Sequence, residues 1–144
     1  MRTFLIINGP NLDLLGMREP GIYGGETLQQ VNDRISALAR QLGVAVEFFQ
    51  SNHEGAIIDK IHEMTTRYDG CVINAGAYTH YSYAILDAIK AVCKPFVEIH
   101  ISDIHKRESF RQVSVIRPAC VCQIYGQGTD GYLTALRKLE EITR

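Results

Sequence analysis

Residues 3–50 read TFLIINGPNLDLLGMREPGIYGGETLQQVNDRISALARQLGVAVEFFQ. Thr3 to Asn8 is a short apolar run of strand length that turns polar at its end. Thr27 opens the pattern Thr-Leu-Gln-Gln, which fits a helix capping box. Leu28, Val31, Ile35, Leu38 and Leu42 then recur at spacings of three and four, and Gly43 closes the helix. Val44 to Gln50 reads as a second strand. Strand, helix and strand in this order predict two parallel strands with the helix laid across one face.

The same alternation continues to the end of the chain. Ala56, Ile57, Ile61, Met64 and Tyr68 mark a second helix, and Cys71 to Asn74 a third strand after Asp69-Gly70. Ala84, Ile85, Ala88, Ile89 and Val92 mark a third helix, with Pro95 beyond its end. Phe96 to His100 is a fourth strand. Ser102 to Arg117 is polar and irregular, with a short helical turn expected around Glu108. Ala119 to Ile124 is a fifth strand, and Tyr132, Leu133, Leu136, Leu139 and Ile142 give a C-terminal helix. The expected fold is α/β, flavodoxin-like, with a five-stranded parallel sheet in the order 2-1-3-4-5 and helices on both faces. Such sheets bind ligands beyond the carboxyl ends of their strands, at the switch point between strands 1 and 3.

Composition narrows the class. A chain of 144 residues with 46% hydrophobic and 22% charged residues is expected to form one soluble domain, residues 1–144. A net charge of -1 offers nothing to nucleic acid or to an anionic membrane. No apolar run approaches the ~20 residues of a membrane span, and the N-terminus lacks the features of a signal peptide, so a cytoplasmic protein is expected. Cys71, Cys93, Cys120 and Cys122 contain no C-x-x-C pair; Cys120 and Cys122 are expected on one strand face as reduced, buried thiols.

The segment from Asn8 to Gly25 fits neither helical nor strand periodicity, and a loop of that length in a small domain points to function. It holds five glycines and two prolines together with Asn11, Arg18 and Tyr23. A phenol is a poor base at neutral pH unless its environment changes it. A guanidinium about 4 Å away, at an effective dielectric near 20, favours the phenolate by roughly 4 kcal/mol. Arg18 and Tyr23 on a closing loop of about residues 9–25 can therefore be a base and its tuning cation, or a packed lid residue and a solvated arginine.

The other polar residues gather where the fold predicts a site. Glu98 and His100 share one face of the strand PFVEIHI, an arrangement that suits proton delivery by the imidazole or, alternatively, a structural carboxylate–histidine pair. The amides of Ile101 and Ser102 follow at the strand end and can hold a carboxylate. Arg111 can bind an anion or hydroxyls, yet Arg107, Glu108 and Arg111 also fit a solvated charged turn. Asn74 ends strand 3, followed by Ala75 to His80. One competing motif, Gly126-Gln127-Gly128-Thr129-Asp130-Gly131, matches G-x-G-x-x-G. It follows the last strand rather than the first, which favours a tight turn and close helix packing over a dinucleotide site; a nucleotide-binding module remains the alternative.

Five motifs, INGPNLDLLGMREPGIYG, QSNHEG, INAGAYTHYSYAILDAI, VEIHISDIHKRESFR and GYLTAL, resemble type II 3-dehydroquinate dehydratases along essentially the whole chain. The resemblance implies dehydration of 3-dehydroquinate to 3-dehydroshikimate through an enolate, with no metal or cofactor, serving aromatic biosynthesis or quinate breakdown. It implies that Tyr23 is the base, Arg18 holds the tyrosinate, Asn11 positions a water at the enolate oxygen, and His100, supported by Glu98, protonates the leaving hydroxyl. It further implies that Asn74, Ile101 and Ser102 bind the substrate, largely at its carboxylate, that His80 and Arg111 meet the ring hydroxyls, and that Asp87 reaches the site of a neighbouring subunit. Family members assemble as trimers, commonly four to a dodecamer. Tyr81, Tyr83, Leu86 and the stretch Gln112-Val113-Ser114-Val115 depart from the family's usual residues, which bears on subunit contacts more than on chemistry.

Overall fold

Phe4 to Ile7 lie at the centre of a five-stranded parallel sheet because they are apolar on both faces, as a strand covered by helices on both sides must be. The computed structural model describes residues 1–144. Strands β1 (Thr3–Asn8), β2 (Ala45–Gln50), β3 (Gly70–Asn74), β4 (Phe96–His100) and β5 (Cys122–Tyr125) stand in the order β2-β1-β3-β4-β5. The helices are α1 (Pro20–Tyr23), α2 (Leu28–Leu42), α3 (Glu54–His62), α4 (Met64–Arg67), α5 (Tyr83–Val92) and α6 (Asp130–Ile142). The expected fold and strand order are both present.

Strand pleating divides the core. Phe4, Ile6, Val72, Val97 and Ile99 face α2 and α6, where they pack with Val31, Ile35 and Leu136. Leu5, Ile7, Cys71, Ile73 and Phe96 face the other way, against Ile57, Ile61, Ile85 and Ile89. The alternation is the period-two consequence of a strand between two helical layers. Local signals hold the helices in place. Thr27 and Gln30 form the reciprocal capping box at α2, and Gly43 ends that helix in the left-handed conformation. Ser82 caps α5 through Ile85 N at 3.1 Å.

Four sequence expectations change in detail. The connection after β1 is not structureless: it contains a 3-10 turn at Leu12–Leu14 and the single turn α1. The helix expected through Tyr68 breaks at Glu63 into α3 and α4. Strand β5 begins at Cys122, because Arg117–Ala119 forms a 3-10 turn with Pro118 as its second residue. Since Cys120 precedes the strand, it packs in the α3–α5 layer while Cys122 packs in the α2–α6 layer, so the two thiols do not share a face.

Register places the site. Asn8 pairs with Gln50 on one side and Asn74 on the other, so polar side chains end the central strands together. Gly9 then crosses the chain so closely that a Cβ there would lie 2.5 Å from the Ala75 carbonyl oxygen. Only glycine permits that crossing at the switch point.

Candidate active site

A cavity of about 110 Å³ opens at the carboxyl edge of β1, β3 and β4, lined mainly by polar residues. Asn11, Arg18 and Tyr23 come from the β1–α2 connection, Asn74 from the end of β3, His80 from the turn after it, and His100, Ile101, Ser102, Arg107 and Arg111 from β4 and beyond. Glu98 lies directly behind His100, fully buried. Ten of the eleven sequence candidates are thus at or behind one cavity. Asp87 is the exception: it is exposed on α5 and does not line it.

The connection is built to aim Tyr23 inward. Asn11 adopts a left-handed backbone, φ 68°, and its N–H donates to Asn52 Oδ1 at 2.9 Å. Asparagine tolerates that conformation better than other side-chain-bearing residues. Pro20 begins α1, whose single turn carries Tyr23 into a buried position although neighbouring Ile22 and Gly24 are exposed. Arg18 Nη2 donates to the Tyr23 oxygen at 3.0 Å, and its guanidinium carbon lies 4.1 Å above the ring centroid. Arg107 Nη1 donates to the same oxygen at 3.2 Å and to Ser102 Oγ at 3.2 Å. Two guanidiniums therefore present positive charge where a phenolate carries its negative charge.

Arg107 was expected in a solvated turn. No periodicity could have marked it, because its partner Tyr23 is 84 residues away. Its neighbour Arg111 also reaches the cavity while pairing with Glu108, Nε to Oε2 at 2.9 Å.

Two histidines face the cavity with different roles. His80 Nδ1 lies 2.7 Å from the Val113 carbonyl oxygen, so that nitrogen must carry the hydrogen. Burial, and then the positive charges of His100 and Arg111, push the His80 pKa down despite the Val113 contact. Neutral His80 therefore keeps Nε2 as an acceptor. His100 directs Nε2 at Glu98, which leaves Nδ1 as its second functional nitrogen. Ser114 Oγ and Gln123 Nε2 also donate to Glu98 Oε2, at 2.7 and 3.1 Å. Burial alone would raise the Glu98 pKa, but the His100 hydrogen bond and charge, with Ser114 and Gln123, hold it below the ordinary carboxylate value. The departure at residues 112–115 thus touches His80 through Val113 and the Glu98 partner of His100 through Ser114, and bears on the site as well as on assembly.

The glycine-rich turn behaves as its position implied. Gly126 and Gly128 adopt positive φ, and a Cβ on Gly131 would lie 2.8 Å from Ile99 Cδ1, so α6 packs closely on β4. Arg34 gathers Glu26, Thr129 and Asp130 at the mouth of this turn. A phosphate there would meet two carboxylates. No three His, Cys, Asp or Glu side chains are grouped so as to hold a metal ion.

Comparison with known proteins agrees with this geometry. A sequence model described as dehydroquinase class II matches residues 2–140. A 3-dehydroquinate dehydratase of Caldicellulosiruptor bescii is 59% identical over 143 residues, covering 99% of each chain. A solved type II dehydroquinase from Butyrivibrio crossotus superimposes with a TM-score of 0.94 at 50% identity, over 96% of this chain and 97% of that one. Another, from Propionibacterium acnes, gives a TM-score of 0.94 at 39% identity over 98% and 97%. The agreement runs through all five strands and the connection that carries Tyr23, and the chain belongs to the class II dehydroquinase family.

Proposed function

We propose that this chain is a 3-dehydroquinate dehydratase, a hydro-lyase that converts 3-dehydroquinate to 3-dehydroshikimate and water. The observation that carries the reading is the pair formed by Tyr23 under two guanidiniums and His100 backed by Glu98, both on one cavity. Carbon next to a ketone is acidic enough for a phenolate to deprotonate when the charge on the resulting enolate is stabilised. Tyr23 takes that proton, with Arg18 and Arg107 both donating to its oxygen. Asn11 positions a water at the enolate oxygen. His100 gives a proton from Nδ1 to the leaving hydroxyl as the enolate collapses, the C–O bond breaks and water departs. Glu98 holds His100 Nε2 and so aims Nδ1 at the cavity.

Asn74 and the Ile101 and Ser102 backbone bind the substrate carboxylate, while His80 Nε2 and Arg111 meet ring hydroxyls. The segment of residues 9–25 acts as a lid that brings Arg18 and Tyr23 to the substrate. The chain acts without a cofactor. It works as trimers, and four trimers form a dodecamer; Asp87, exposed on α5 and outside its own chain's cavity, is free to meet a neighbouring copy. Residues 1–144 act as one catalytic domain in the cytoplasm, and no helix is long and apolar enough to cross a membrane.

Purified wild type incubated with 3-dehydroquinate is expected to produce the conjugated enone, read by its ultraviolet absorbance. Turnover should survive borohydride, which traps Schiff-base enzymes, and a chelator. Absence of turnover would overturn the proposal.

A further inference from the structure

The Tyr132 hydroxyl has no part in the reaction described above, yet it sits between two asparagines at the floor of the site. Tyr132 lies in the first turn of α6 and is 1% exposed. Asn74 Nδ2 donates to its oxygen at 2.9 Å, and its hydroxyl donates to Asn8 Oδ1. Asn8 and Asn74 are register partners on β1 and β3, so the phenol bridges adjacent strand ends from the helix above.

Hydrogen-bond valence sets the direction of this chain of contacts. The Gly76 backbone N–H, 3.1 Å from the Asn74 amide, can only donate. The atom facing it is therefore Oδ1, and Nδ2 must face Tyr132. Amide nitrogen also only donates, so the Tyr132 oxygen accepts here and its single hydrogen goes to Asn8 Oδ1. Burial raises the Tyr132 pKa, which keeps that hydrogen in place. One backbone N–H thus fixes the polarity of three side chains in a row. Tyr132 takes one of the two Asn74 Nδ2 hydrogens, and Asn74 itself lines the cavity beside Ile101 and Ser102.

We infer that Tyr132 is a positioning residue: it holds the Asn74 amide so that the remaining N–H is offered as a donor to the substrate carboxylate. A reversed amide would turn an acceptor oxygen toward an anion. The inference rests on the dehydratase reading for the identity of the ligand. Losing one well-placed hydrogen bond to a charged group weakens binding by about tenfold or more. The carboxylate sits on the carbon that loses the hydroxyl, but its own charge does not change during the reaction, so the loss is about equal in ground and transition states and is read in KM rather than kcat.

The experiment is steady-state kinetics with 3-dehydroquinate, joined to calorimetric titration with 3-dehydroshikimate. It compares wild type, Tyr132→Phe, Asn74→Ala and the double variant. Tyr132→Phe keeps the ring and its packing. It is expected to raise KM and product Kd about tenfold with kcat changed by less than about threefold. On the Asn74→Ala background the same substitution should change KM by less than about twofold, since Tyr132 acts through Asn74. A merely structural role would leave the loss undiminished there, and that result overturns the inference. So does an unchanged KM in Tyr132→Phe. If that variant does not fold, Asn8→Leu tests the same relay: without its acceptor, the Tyr132 hydroxyl is no longer held as the acceptor for Asn74 Nδ2, which loosens the amide and raises KM likewise. An unchanged KM in Asn8→Leu overturns the relay. Wild type that fails to turn over 3-dehydroquinate overturns the dehydratase reading and this inference with it. Normal wild-type turnover with unaffected variants removes only the role of Tyr132.

Discussion

Replacing His100 with leucine should unmask the cost of the buried Glu98 charge. In the wild type three donors converge on Glu98 Oε2, and Oε1 has no hydrogen-bond partner. Leucine removes the imidazole donor and leaves Ser114 and Gln123. Breaking a buried pair in this way costs about 3–5 kcal/mol if the carboxylate stays charged. The carboxyl can instead take up a proton. With an ordinary value of 4.5, that route limits the cost to about 3.4 kcal/mol at pH 7. His100→Leu is therefore expected to lose about 3 kcal/mol in urea unfolding at pH 7, measured at fixed protein concentration. The pH dependence follows from the direction of the shift. In the wild type the folded Glu98 pKa lies below its unfolded value, so its stabilising contribution is present above about pH 4.5 and is lost as pH falls through the folded value. In the variant the folded pKa is raised, and acid relieves the penalty. The gap between the two proteins should close on going from pH 7 to about 4.5. Adding Glu98→Gln should recover most of the loss at pH 7, because a buried amide has no charge to desolvate. A cost below about 1 kcal/mol, or a gap that does not depend on pH, would refute the reasoning.

Three further outcomes follow from the site. Tyr23→Phe is expected to lower kcat at least ~100-fold while retaining substrate binding; near-normal turnover would remove Tyr23 as the base. Arg107→Met should lower kcat by more than it raises KM, because its contacts are to Tyr23 and Ser102; steady-state kinetics showing only a rise in KM would make it a binding residue instead. Arg34→Met cuts the tie from Glu26, just past the lid, to Thr129 and Asp130. These groups are partly solvent-exposed, so the loss in unfolding free energy should stay under about 1 kcal/mol. Trypsin cleavage after Arg18 should nevertheless accelerate several-fold, and an unchanged cleavage rate would show that the lid is anchored elsewhere.

Much of the architecture is local in origin and was legible as such. The capping box at Thr27, the three-and-four spacing through Leu42 and the apolar run before Asn8 each depend on residues a few positions apart. Glu98 and His100 could be paired from sequence because side chains two apart on a strand share a face. The cysteine expectation failed for the same reason: the rule needs both residues in the strand, and Cys120 lies before it. The contacts of Arg107, Ser114, Gln123 and Tyr132 were not legible because each acts on a partner brought close by folding, so no spacing along the chain records them.

Periodicity and turn chemistry in the chain are enough to set five parallel strands, their order and the edge at which a ligand binds, since hydrophobic burial admits few ways to cover such strands on both faces. The residue types needed for proton transfer are likewise visible, and Tyr23 and Arg18 sit close together along the chain. Folding alone brings a second guanidinium to Tyr23, gives His80 and His100 different hydrogen-bonding nitrogens, and leads the Asn74 amide through Tyr132 to Asn8. Those outcomes depend on which atom faces which at about 3 Å, a distance set by packing between segments far apart in the chain.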